Sequence, residues 1–387
     1  MNNTAMNLPR VRLLGELERR IEQKMARLAE RDARYGAARV RLTSYMENIG
    51  WPELFGYRMT DFFTDAAFAI EQKLRQQIWW DDNIDDDTLP SLTMQADVGM
   101  YWDMTLFGQR IVHNTIGVPE FMPHPFGATT LPDVDLLGHF DFYTTGIMPL
   151  LLANYAQMRE VNAREYENRL AITFPCFHRG PLDIYVQLRG YEQFVDDLTE
   201  RPELLQTALS FLADERRRFA RERGIFLGEA LPSTTFVADD WVNIPFISPA
   251  NFRSILLPVY AHIQAQEGAV TGFHTCGNME AVVADLLAVF PKKNSLDVNG
   301  WNDVQRLDAA VDPHIHFHVG IINTVSMSDA TDVQRPLLEA IRRVSAHRQV
   351  SVCAQAIVKL YPTYEAVLDR LNRFVALAYT TLPAAQP

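Results

Sequence analysis

The chain has 387 residues, of which 48% are hydrophobic and 22% charged, and a formal net charge of −12. That length can bury a large core, while the anionic balance excludes a nucleic-acid footprint, which needs a basic face. No apolar run is long enough for a membrane-spanning helix, and three widely spaced cysteines exclude a disulfide framework. Charges at Arg10, Arg12, Glu16 and Glu18 interrupt any apolar signal-peptide core. A cytoplasmic location is therefore expected.

Leu14, Leu17, Ile21, Met25 and Leu28 recur at three- and four-residue steps among Arg and Glu, which predicts an amphipathic helix. Its apolar stripe makes a homodimer plausible. A second helical run spans about Asp65 to Trp79. The acidic stretch "WDDNIDDDTLP" after it reads as a solvated turn or linker, since its spacing matches no calcium loop. Residues 1–90 are thus expected to form an N-terminal helical extension.

From about Leu92 the pattern changes to short β-rich runs separated by helical ones. The clearest strands are "LAITFP" (169–174), "TTFVAD" (234–239), "AVTGFH" (269–274), "SLDVNG" (295–300), "HIHFHVGI" (314–321) and "VSVCAQ" (350–355). Weaker runs lie near 94–100 and 110–116. Strands separated by helices of ten or more residues pair in parallel. Seven or eight such units over residues 91–387 predict a (β/α)8 TIM barrel, whose chemistry would sit at the C-terminal ends of the strands.

There the sequence places "HTCGN". His274 and Cys276 follow one strand directly, and Cys353 lies within another. Two thiolates and an imidazole suit zinc, and a three-ligand set leaves an open position, as catalytic sites do. The short paired Cys spacings of a closed structural site are absent.

Several other residues reach the same mouth. Asp239 and Asp240 end a predicted strand; Asp239 reads as an acid/base or further metal ligand or as a cap, and Asp240 as a cap. His178 is either a substrate contact or a structural histidine, and Cys176 beside it reads as buried and apolar. Asn278 either orients Cys276 or caps the next helix, and Asp297 and Asn299 are second-shell or substrate-contact candidates. His314, His316 and His318 alternate along one strand. The cluster Trp79, Trp80, Tyr101 and Trp102 reads as core, with a pocket lining as the alternative.

The spacing His-x-Cys, 76 residues, Cys resembles the zinc motif of the corrinoid-dependent methyltransferase branch of the uroporphyrinogen decarboxylase superfamily, which includes methylcobalamin:coenzyme M methyltransferases. "GPLDIYVQLRGYEQFVDDLTERPELL" (180–205) and "ADDWVNIPFISPANFRSILLPVYAHI" (238–263) are similar to further landmarks of that superfamily. The likeness covers about residues 165–380. It implies zinc held by His274, Cys276 and Cys353, and transfer or removal of a methyl group between a small methylated substrate or thiol and a corrinoid such as methylcobalamin. "DPHIHFHVG" departs from a cobalamin-binding motif, with Phe317 where glycine belongs, so the corrinoid is expected on a separate docking protein. The decarboxylase's arginine-rich segment has no counterpart, since "LRQQIWW" (74–80) sits inside a helical run, and porphyrinogen decarboxylation is not expected. Two alternatives stay open: a corrinoid-independent zinc alkyl-transfer or lyase reaction, and a non-catalytic metal-binding barrel.

Overall fold

The computed structural model describes residues 4–37, 39–99, 101–112, 120–121, 124–126, 138–244, 246–329, 331–357 and 361–382. Ten strands are present among them: β1 (Arg41–Met46), β2 (Thr93–Gln95), β3 (Ile111–Val112), β4 (Glu120–Phe121), β5 (Ala171–Thr173), β6 (Thr234–Ala238), β7 (Ala269–His274), β8 (Ser295–Val298), β9 (His316–Ile321) and β10 (Val350–Ile357). Six form one parallel sheet in the order β1-β10-β9-β8-β7-β6, with helices in the connections from β6 through β10. β2 and β5 form a second parallel pair, and an isolated parallel bridge between Arg179 and Ala238 joins the segment after β5 to β6. The run near 110–116 is not a parallel strand: β3 pairs antiparallel with β4, and 113–116 lie outside the described residues. No described helix is long and apolar enough to cross a membrane.

The strands from β6 onward begin and end close to where the sequence puts them, and the helices after β6, β8 and β10 carry their own start signals. Asp303 accepts from the backbone N–H of Gln305 and Arg306, Thr363 from Ala366, and Ser248 from Asn251. Upstream, Asp65 does the same for the Ala66–Asn83 helix.

Alternation then gives the sheet two faces. Leu42, Val270, Leu296, Phe317, Val319 and Val352 are buried in the main core. The opposite face is half-buried and polar, carrying Thr43, Thr271, Asp297, His318, Ser351 and Cys353. His318 Nδ1 lies 2.6 Å from Ser351 Oγ across β9 and β10.

Two expectations for the N-terminal region need correction. Residues 1–90 are not wholly a helical extension, because β1 pairs with β10 from Arg41↔Ser351 to Ala354 and is a strand of the main sheet. The acidic stretch is not a solvated turn either. Asp81, Asp86 and Asp87 are buried and face the Arg10–Tyr35 helix and β1. Asp81 contacts Lys24 and Arg27, Asp82 pairs with Arg20, and Asp87 takes Arg31 and Arg39. Asp87 also accepts from the Leu42 backbone N–H at 2.9 Å, and its own N–H donates to Leu42 O at 2.6 Å. The run fastens the first long helix to the sheet, since a buried carboxylate needs a cation or donors to replace its water.

Candidate metal centre

His274 is the last residue of β7, and hydrogen bonds to both neighbouring loops fix the turn after it. Thr275 Oγ1 donates to Val242 O at 2.8 Å, Asn278 N to Asn243 Oδ1 at 2.9 Å, and Asn302 Nδ2 to Gly277 O at 3.0 Å. Glycine is required at 277, because a Cβ there would overlap Val242 O and the Asn243 backbone. The order strand, tight turn, clamped loop holds His274 and Cys276 on one side.

The ligand atoms of Asp240, His274 and Cys276 all lie within 4.8 Å of one another. His274 Nε2 is 3.1 Å from Asp240 Oδ1 and 3.5 Å from Cys276 Sγ. Its other nitrogen, Nδ1, is 2.8 Å from Asp297 Oδ2 on the adjacent strand β8. A carboxylate on the far nitrogen fixes the ring so that Nε2 faces the other two donors, as second-shell partners of metal-bound histidines do.

The charges in this group are unbalanced. Burial disfavours the His274 cation, but the hydrogen bonds it donates to Asp240 and Asp297, and then Cys276, outweigh it and push its pKa up to about 12. For Asp240, burial works upward, yet the hydrogen bond and charge of His274, with Arg179 behind it, hold the carboxyl below its ordinary range. Burial raises the Cys276 thiol, against the pull of His274. Asp240 Oδ1 is nonetheless a buried oxygen with no well-formed hydrogen bond. The donor set of one sulfur, one imidazole and one carboxylate fits zinc, which accepts all three. Metal uptake would displace the proton shared at Nε2.

Of the two roles weighed for Asp239 the structure shows the cap, and Asp240 is not the cap it was expected to be. Asp239 is fully buried, accepts from Leu182 N at 3.3 Å, Asp183 N at 2.6 Å and Tyr260 OH at 2.9 Å, and so caps the Pro181–Arg189 helix from another strand. It is packed into the core and lines neither of the two cavities beside His274. A side chain at Gly180 would strike its carboxylate. Asp240, expected to be the cap, is the one beside His274.

Two cavities flank the centre. One, of about 580 Å³, is lined by Cys276 and Asp240 together with Tyr101, Arg179, Tyr191, Trp241 and Phe246 among others. The second, of about 420 Å³, is more polar and contains His274, Asp240, Arg179, His178, Cys176 and Asp103. Arg179 and Asp240 form the partition. Arg179 pairs with Asp103 at 3.1 Å and with Asp183.

The remaining predicted residues are spread around this centre. His178 lines the polar cavity, where burial, then Arg216 and Arg223, lower its pKa. Cys176 is exposed there and is not a buried apolar residue. Asn278 locks the loop, its Nδ2 donating to Trp301 O at 2.8 Å, and makes no hydrogen bond to Cys276. Asn299 is buried with its Oδ1 unpartnered. Cys353 stands outside the compact group. It pairs laterally with Gly320 on β9, three strands from β7, with its thiol in electrostatic reach of Asp297. His314 is exposed and bonded to Asp312, whereas His316 and His318 stack with ring centroids 4.0 Å apart. Trp79, Trp80 and Trp102 are core residues, Trp102 also lining the polar cavity, and Tyr101 lines the larger one.

Asp240, Arg179, Tyr191 and Trp241 are the site residues the sequence reading missed. Asp240 had a signal: it lies two residues beyond Ala238, which pairs with His274, so period-two alternation puts it on the histidine's side.

No protein-family model matches the chain, and no curated protein matches it in sequence. In fold it is similar to a methyltransferase from Methanosarcina mazei, with a TM-score of 0.57 and 15% identity over 88% of this chain and 94% of that one.

Proposed function

We propose that the protein is a zinc-dependent methyltransferase acting on small molecules, with the metal held by Asp240, His274 and Cys276. The observation that carries this reading is the convergence of those three donors, oriented by Asp297, between two cavities. Zinc would supply Lewis acidity toward a leaving heteroatom and would keep a small thiol deprotonated at neutral pH. The chain's own residues do the rest. Asp297 fixes the imidazole, Asp239 and Gly180 fix the Arg179 segment, and the walls of the larger cavity exclude water.

The likeness in fold to a methyltransferase supports this reading, as does the resemblance of "HTCGN" to the corrinoid-dependent branch. On this account the eight parallel-paired strands are the staves of the expected barrel. The segment after Asp86 then closes the ring along β1, where Ser44 N donates to Thr88 Oγ1. A cavity of about 580 Å³ has the size of a small-molecule site, so a corrinoid would dock from a separate protein over the mouth.

The polar second cavity favours one alternative, direct transfer between two small molecules without a corrinoid. Methyl transfer to a small thiol, assayed with zinc-replete and zinc-stripped protein and with methylcobalamin present or omitted, decides between them. Zinc-dependent turnover is expected; turnover unaffected by stripping the metal would refute the proposal.

A further inference from the structure

The larger cavity also bears on substrate class. Tyr191, Trp241 and Phe246 meet at its mouth: the Tyr191 and Trp241 rings are 5.3 Å apart at 31°, and Tyr191 and Phe246 are 6.1 Å apart at 88°. Tyr191 and Phe246 keep 37% and 62% of their surface exposed. Large rings left this open, yet packed on each other around a cavity, form a cage and not a piece of core. Tyr101 adds a fourth ring deeper in.

The charged groups of the same cavity are already paired. Two carboxylates, Asp183 and Asp240, line it against one guanidinium, Arg179. That guanidinium is committed to Asp183 and Asp103, with its plane over the Tyr101 ring. With Asp240 given to the metal and Asp183 offset by Arg179, the ring faces are what distinguish the occupants, since they attract a cation and not a carboxylate or sulfonate. Both carboxylates already hold partners, Arg179 and His274, so an occupant that needs no strong acceptor fits best.

We infer that this cavity binds a methylated onium cation, a quaternary ammonium or a sulfonium. This deepens the methyl-transfer reading and rests on it for the fate of the methyl group. Attack by the thiolate of a small thiol forms a carbon–sulfur bond and breaks the bond from methyl carbon to the onium atom. The electron pair leaves on nitrogen or sulfur as a neutral amine or sulfide, and no proton donor is needed. Cys276 and Asp240 line the same space, so the methyl group would be presented at the metal centre.

The test is calorimetric titration of the full-length, zinc-replete protein with choline, with trimethylsulfonium, and with the uncharged alcohol in which carbon replaces choline's nitrogen. At least one cation should bind about tenfold more tightly than the uncharged alcohol, and the two cation arms tell ammonium from sulfonium. Trp241→Ala and the surface variant Phe246→Ala should each remove most of that preference, whereas Tyr191→Phe, which keeps the ring, should retain it. Equal binding of the cations and the alcohol, or no saturable binding of either cation, overturns the inference. Because the titration reads binding alone, cation binding without zinc-dependent turnover supports the cage and counts against the methyl-transfer reading. Turnover of uncharged methyl donors with no cation preference does the reverse.

Discussion

The chain has two dense groups of aspartates, and they are satisfied in opposite ways. In the clamp of residues 81–87, basic side chains of the N-terminal region meet the carboxylates: Arg20, Lys24, Arg27, Arg31 and Arg39 reach Asp81, Asp82, Asp85, Asp86 and Asp87. At the strand ends, Asp183, Asp239, Asp240 and Asp297 share one guanidinium and one imidazole, apart from hydroxyl and backbone donors. The first group sets five cations against five carboxylates and acts as structure. In the second, three metal-binding atoms converge where Asp240 and Asp297 share one imidazole, an arrangement that suits a bound cation.

The contrast can be broken most severely at the centre. His274→Ala and Cys276→Ser should each abolish zinc binding and lower methyl transfer by roughly a thousandfold or more, while chemical denaturation midpoints stay close to wild type. In the clamp the expected pattern is inverted. Asp87→Ala leaves the buried Arg39 guanidinium and the Leu42 N–H without their acceptor and should cost about 3–5 kcal/mol in urea unfolding, with zinc content of the folded protein unchanged.

The clamp also predicts a pH dependence. Burial raises the Asp87 pKa, but hydrogen bonds from Arg39 and the Leu42 N–H lower it further, so the folded value falls below the ordinary aspartate range. The unfolded state therefore binds the extra proton first as pH drops. Stabilisation from Asp87 is complete above the unfolded value and is lost as pH falls through the folded one. Urea midpoints in acid should fall more steeply for wild type than for Asp87→Asn; parallel curves would show that Asp87 carries no such linkage.

Smaller effects sharpen the picture. Asp297→Asn keeps the shape but weakens the hold on His274, and competition with a chelator should show zinc affinity reduced about 10- to 100-fold. Cys353→Ser should leave zinc stoichiometry intact, because Cys353 lies three strands from His274. Loss of zinc in that variant would instead show that β10 supplies the second thiolate implied by the His-x-Cys resemblance.

What was legible follows from the range of the interactions involved. His274 and Cys276 could be read because a strand, its exit and the motif are contiguous, and β6 to β10 because each strand is followed by a helical run. β1 was not legible: "RLTSYM" follows a helix within a charged region, and its strand state comes from pairing with β10, some 300 residues away. The aspartate run misled for the same reason, since its cations sit on the Arg10–Tyr35 helix and near β1 and no local pattern announces them. The reading of Asp239 and Asp240 turned on where β6 ends. Taking the strand through residue 239 instead of ending it at Ala238 left Asp239 open between cavity and cap and gave Asp240 the cap.

The central claim is that one zinc ion binds at Asp240, His274 and Cys276, and elemental analysis of purified wild type beside Cys276→Ser tests it most directly. The account predicts about one zinc per chain in wild type and none in the variant. A wild type without zinc, or a Cys276→Ser protein that retains it, would contradict the account.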